Sequence, residues 1–188
     1  MSTLAEIQEV LRKNSSAAGK ASAEKFVPGS QKVYGVRMPV LNDIAKKTNG
    51  DALELAEELW ASGAFEERVL AAKLLNKVAN KDPGRALKLI EKFSKDISDW
   101  AVCDTLGMQS PKKINKSHSE DIFVLSEKLI HSKNPWQRRL AIVLSEWYTR
   151  DKKFHPRIKK LLAVVKNDPE YYVKKAIVWI NRNFEKKR

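Results

Sequence analysis

Apolar residues recur along this chain at intervals of three and four, and almost nowhere in alternation. Leu4, Ile7, Val10 and Leu11 form one stripe, and Leu53, Leu55, Leu59 and Trp60 belong to another. Val69, Ala72, Leu75 and Val78, with Lys73, read as an apolar face beside a polar one. This spacing is that of a helix with one face buried. Breakers fall at Gly50-Asp51, Ser62-Gly63, Asp82-Pro83, Ser110-Pro111, Asn134-Pro135, His155-Pro156 and Asp168-Pro169. Asp or Asn before Pro makes a good helix start, because the carboxylate or amide caps free N–H groups and proline suits the first turn. The pattern predicts about ten or eleven helices of roughly ten to seventeen residues joined by short loops. Phe26 to Pro39, with Pro28-Gly29 and Gly35 inside it, is the one irregular connection expected.

Three of the helical stretches can be written in one register. Arg68-Val-Leu-Ala-Ala72, Arg138-Arg-Leu-Ala-Ile142 and Val173-Lys-Lys-Ala-Ile177 fall at multiples of 35 residues, and the missing step is Cys103-Asp-Thr-Leu-Gly107. Many short helices with a fixed period predict an all-α fold, an α-solenoid of antiparallel HEAT-like helix pairs with a concave basic groove, in a single domain over 1–188. The period is close to that of tetratricopeptide repeats, but their Trp…Leu-Gly…Tyr spacing is absent, and a non-repetitive bundle is the plainer alternative.

Charge sharpens the picture. The net charge is +13, and residues 133–188 hold 16 Lys/Arg against 5 Asp/Glu, so +11 of it lies in that segment. Such a one-sided excess predicts an anionic partner, nucleic acid ahead of a membrane surface. A single cysteine, Cys103, excludes an internal disulfide and fits a reducing compartment. The N-terminus lacks a signal-peptide core, and no apolar run approaches the ~18 residues of a membrane span. A cytoplasmic, monomeric protein, nucleoid-associated when bound to DNA, is expected.

Within the register an acid, Asp104, stands where the other copies carry Val69, Arg139 and Lys174. Equivalent positions in a solenoid lie side by side, with helix axes ~8–10 Å apart, so Asp104, Arg139 and Lys174 are expected to form a row on the concave face. Trp100 precedes Asp104 by four and shares its face. Trp179 follows Lys174 by five, and Trp136 opens the helix that carries Arg139. Each tryptophan alone is more often core than platform, and Trp60 and Trp147 are assigned to the core. Asp104 alone could simply pair with Arg139 or Arg138.

Together these groups suit the breaking of an N-glycosidic bond. Positive charge builds on the sugar, and an ionised carboxylate near C1′ stabilises it and orients or deprotonates water. Tryptophan faces attract a cationic base, and an alkylated cationic base leaves without a second acid. Arg139 would grip a flanking phosphate.

At these residues the chain resembles the bacterial AlkD-type DNA alkylation repair family, within a HEAT-like-repeat DNA glycosylase superfamily. The matching segments are Tyr34-Gly-Val-Arg-Met-Pro39 with Ile44-Ala-Lys-Lys47, Asp99-Trp-Ala-Val-Cys-Asp104, Asn134-Pro-Trp-Gln-Arg-Arg-Leu-Ala-Ile142 and Lys174-Lys-Ala-Ile-Val-Trp179. They run from about Phe26 to Phe184, and it is the set, not any single motif, that is specific. The resemblance implies a monofunctional glycosylase that excises N3- and N7-alkylpurines from double-stranded DNA. It implies Asp104 as catalytic carboxylate, Trp100 and Trp179 against the lesion deoxyribose and backbone, and Arg139 on phosphate, without flipping the base into a pocket. Trp136, Arg138 and Lys174 complete the expected DNA-binding set. Two departures are Phe26, where some members carry a DNA-contacting Tyr, and a chain that stops soon after Trp179.

Other catalytic sets are poor. His118, His131 and His155 have no ligand spacing with one another or with Cys103, so no metal and no cofactor is expected. Cys103 adjoins Asp104 but points away from it on a helix, which favours buried packing. Gly29, Gly35, Gly50 and Gly63 make no phosphate loop, and Gly19-Lys20 lacks the context of one. A non-catalytic DNA-binding repeat protein is the main alternative class, and a protein-interaction scaffold the next.

Overall fold

The computed structural model describes residues 3–28, 32–49 and 52–185, which leaves Gly29 and the Gly50-Asp51 breaker outside the described residues. The described residues form eleven α-helices and no strand. In order these are α1 (Leu4–Lys13), α2 (Ala17–Phe26), α3 (Met38–Lys47), α4 (Ala52–Ala61), α5 (Phe65–Val78) and α6 (Pro83–Phe93). They continue with α7 (Trp100–Gln109), α8 (Ser119–Leu129), α9 (Pro135–Leu144), α10 (His155–Val164) and α11 (Tyr171–Glu185). Short 3₁₀ turns cover Ser94–Asp96, Glu146–Arg150 and Lys152–Phe154.

Capping residues start several helices as the sequence predicts. Asp82 accepts from the Arg85 N–H at 2.9 Å with Pro83 in the first turn of α6, and Asn134 accepts from the Trp136 N–H at 2.9 Å ahead of α9. Asp99 accepts from the Val102 N–H at 2.8 Å and so fixes the start of α7. Asp168-Pro169 departs from this pattern. α11 begins only at Tyr171, and the Asp168 carboxylate, which accepts from the Glu170 N–H at 3.0 Å, also takes Arg138.

The helices stack in two layers. α5, α7, α9 and α11 lie side by side, in parallel and in register. Lys73 Nζ donates to Gln109 Oε1 at 2.7 Å, Ser110 Oγ to the Ala72 carbonyl at 3.0 Å, and Trp147 Nε1 to the Met108 carbonyl at 2.9 Å. These partners are 36, 38 and 39 residues apart, close to the period written in the sequence. The other layer is laced by surface ion pairs between successive helices. Lys92 of α6 meets Glu57 of α4 at 2.5 Å, Lys128 of α8 meets Glu91 of α6 at 2.6 Å, and Arg157 of α10 meets Glu120 and Glu127 of α8, each at 2.6 Å. Such exposed pairs set register more than they add stability. One apolar core runs from Ile7 to Ile180, with Trp60 stacked on Phe93 at 4.5 Å. The result is an all-α, solenoid-like array.

The irregular connection is held from below. The buried Glu66 carboxylate accepts three backbone N–H groups, from Tyr34 at 2.9 Å, Gly35 at 2.7 Å and Val36 at 3.0 Å. Gly35 has φ +76, and a Cβ on Gly19 would come within 2.0 Å of the Gly35 carbonyl, so α2 lies directly on this segment.

Candidate active site

The α7 helix carries Trp100, Asp104 and Met108 at four-residue spacing, and all three face one groove of about 590 Å³. Asn42 of α3 and Lys73 of α5 line its near wall, and Trp147 lines its far end. Trp100 is half-buried, and its indole N–H donates to the Phe26 carbonyl at the end of α2 at 2.8 Å. That bond fixes the ring beside Asp104. The adjoining Phe26 side chain is 67% exposed.

Asp104 meets Arg139 across the α7–α9 seam. Arg139 Nε donates to Oδ1 at 3.1 Å, and Nη2 donates to Oδ1 and Oδ2, each at 2.9 Å. The third guanidinium nitrogen, Nη1, donates to the Tyr172 carbonyl. A carboxylate has about four lone-pair sites. Arg139 fills both on Oδ1 and one on Oδ2, which leaves one Oδ2 site for the groove. The Asp104 side chain is 22% exposed, whereas that of Arg139 is 6% exposed. Burial pushes the Asp104 carboxyl up to about 6, with Arg139 opposing the rise and Asp99 adding to it. The acid is therefore poised to titrate just below neutral pH, as functional groups in clefts often are.

Close packing sets this geometry. A Cβ on Gly107 would lie 2.7 Å from Val143 Cγ1 and 3.0 Å from Leu140 Cδ1, so α7 and α9 touch where the ion pair forms. Cys103 is fully buried, donates weakly to the Trp136 carbonyl at 3.8 Å, and has its thiol pushed well up by burial. It packs and does not act as a nucleophile.

The remaining expected site residues are placed differently. Trp136 is half-buried and stacks on Tyr172 at 5.1 Å, which in turn supports Arg139. Arg138 points away from Asp104. It grips Asp168 with Nε at 2.5 Å and Nη2 at 3.1 Å, and Nη1 takes the carbonyls of Ser132 and Lys133. Trp179 is half-buried against the core, and Lys174 is exposed on α11, on the side of Asp168. Neither Trp136 nor Trp179 lines the groove, so of the three tryptophans expected in the site only Trp100 does.

Trp147, assigned to the core on frequency alone, is the second groove tryptophan. It follows α9 in a 3₁₀ turn, where helical spacing no longer tells which face a residue takes. The sequence pattern shows Lys73 only as part of a helical face. Its ammonium is half-buried in the groove wall, and burial pushes its pKa down.

One family model matches residues 7–188, and its description is DNA alkylation repair enzyme. The chain belongs to this family. Among curated proteins none matches it. Membership gives the groove a setting, that of an enzyme of DNA repair whose partner is DNA. Among the described residues, no helix is long and apolar enough to cross a membrane.

Proposed function

We propose that the protein is a DNA glycosylase that hydrolyses the N-glycosidic bond of cationic N3- and N7-alkylpurines in duplex DNA, with Asp104 as its catalytic carboxylate. The observation that carries this reading is the Asp104 carboxylate itself. Arg139 holds it on three hydrogen bonds, and it keeps one free oxygen site on a groove beside Trp100.

The alkylated base already bears positive charge, so it departs with the bonding electrons and needs no proton. Charge then develops at C1′, and the ionised Asp104 stabilises it. The free Oδ2 site orients a water for attack at C1′ and receives its proton. Trp100, tied to the Phe26 carbonyl, presents an indole to the cationic sugar. Arg139 acts through Asp104. With its donors taken by Asp104 and Tyr172 it fixes the carboxylate rotamer, and contact with a flanking phosphate would require it to turn outward.

The test is release of free 7-methylguanine and 3-methyladenine from methylated duplex, wild type beside Asp104→Asn. The asparagine keeps an oxygen for Arg139, so folding and DNA affinity should persist while release falls at least about tenfold. Full activity in the variant would remove Asp104 from the mechanism. The ion pair itself favours a second reading, a non-catalytic DNA-binding protein in which Asp104 only neutralises Arg139. Salt-sensitive binding with no release by either protein would establish that reading instead.

A further inference from the structure

Two lysines line the groove that Asp104 faces, and their surroundings differ. Lys112 follows the end of α7, is exposed, and has its Nζ 5.8 Å from the Trp147 ring centroid. Lys73 rises from the middle of α5 and is half-buried. Its Nζ donates to Gln109 Oε1 at 2.7 Å, and among the described residues no carboxylate pairs with it. Lysines elsewhere on the scaffold are compensated, Lys92 by Glu57 and Lys128 by Glu91.

An ammonium that has lost water and gained no counter-ion gives up its proton more readily, and burial pushes the Lys73 pKa down. The neutral amine still donates one N–H to Gln109, which leaves its lone pair free. Lysines desolvated in this way are the ones that attack carbonyl carbons. Tying α5 to α7 through Gln109 is the plainer role. A donor for that amide, however, needs neither a charge nor a place in the groove.

The position suits the product of the proposed reaction. Lys73 stands 35 residues before Met108, which is one turn past Asp104 on α7. It therefore enters the groove from the neighbouring helix, about 5.4 Å along the axis from the acid. Hydrolysis at C1′ leaves a hemiacetal, which opens to an aldehyde on a freely turning chain. We propose that Lys73 captures this abasic sugar as an imine. The amine lone pair forms the N–C1′ bond, the aldehyde oxygen departs as water with both amine protons, and a C=N double bond remains. No oxidant or reductant takes part. Water reverses the step, so the covalent hold on the abasic product is temporary.

The imine rests on the proposed function for its aldehyde, but its test supplies one ready-made. Wild type, Lys73→Arg and Lys73→Met are each mixed, at concentrations that saturate the DNA, with a labelled duplex holding one aldehydic abasic site. Sodium cyanoborohydride is present to deliver hydride to the imine carbon and fix the adduct as a secondary amine. Wild type should give a protein–DNA adduct on a denaturing gel, and both variants at least about tenfold less. Lys73→Arg keeps the charge and a donor for Gln109, so its loss of adduct reports the amine as nucleophile. Peptide mass mapping should locate the wild-type adduct on Lys73, a readout that needs no variant. No adduct from bound wild type, an equal yield from Lys73→Arg, or an adduct on Lys112 instead overturns the imine and leaves the base-release test of Asp104 untouched. Absence of duplex binding by the wild type overturns both.

Discussion

The titration of Asp104 gives the sharpest prediction about mechanism. Only the ionised carboxylate can stabilise a cationic sugar, and burial has pushed its pKa up to about 6. Roughly nine-tenths of the enzyme is then competent at pH 7 and about one-tenth at pH 5. Single-turnover release of 7-methylguanine, with DNA saturated by enzyme and spontaneous loss subtracted, should therefore drop about tenfold per unit below pH 6 and level off above pH 7. Arg139 is the main influence holding the carboxyl down. Arg139→Met removes both its charge and its hydrogen bonds, so the midpoint must move upward and activity at pH 7 must fall, with part recovered near pH 8 to 9. The same shift fixes the sign of stability against pH. Because the folded pKa lies above the unfolded value of 3.8, the folded state holds more protons between about pH 4 and 6. This group's contribution is greatest at the acid end of that window and declines as pH rises through 6, by an amount on the order of 3 kcal/mol for a two-unit shift. A release profile flat through pH 6, or a midpoint that falls in Arg139→Met, would refute the assignment of the titrating group to Asp104.

Two further predictions concern the scaffold that holds the carboxylate. Gly107→Ala places a methyl where Val143 Cγ1 is 2.7 Å away, and the overpacking should cost roughly 1–3 kcal/mol against a helix-propensity gain of about 1 kcal/mol. Its melting temperature should fall, and base release should fall further than the stability loss explains, since α7 and α9 must part at the Asp104–Arg139 pair; an unchanged melt would show that the seam yields freely. Glu66→Gln replaces a charged acceptor of three backbone N–H groups by an amide that opposes one of them, at about 2–3 kcal/mol. Limited proteolysis should then cut the segment between α2 and α3 faster than wild type at the same temperature, and equal rates would mean that Glu66 does not hold it.

What the sequence revealed and what it concealed separate along one physical line. Features set by spacing on a helix were readable. The 35-residue step puts Asp104 opposite Arg139, and the structure joins them at 2.9 Å; Trp100 shares the Asp104 face because four residues make about one turn. Features set by what each side chain finds across a seam were not. Adjacent arginines look alike in a sequence, yet Arg138 turns to Asp168 and only Arg139 reaches the groove acid. Arg139, expected on phosphate, is 6% exposed and paired with a carboxylate. Trp147 escaped for a third reason. The helical period stops at Leu144, and the 3₁₀ turn that follows rotates the ring into the groove where an α-helical count would bury it. The same indole lines both the Asp104 groove and the neighbouring recess of Tyr148 and Phe154. Position on a repeat thus singled out Asp104. The groove around it is completed where the repeat gives way to turns, by Lys112 and Trp147, which come from two separate segments and meet at 5.8 Å only in three dimensions.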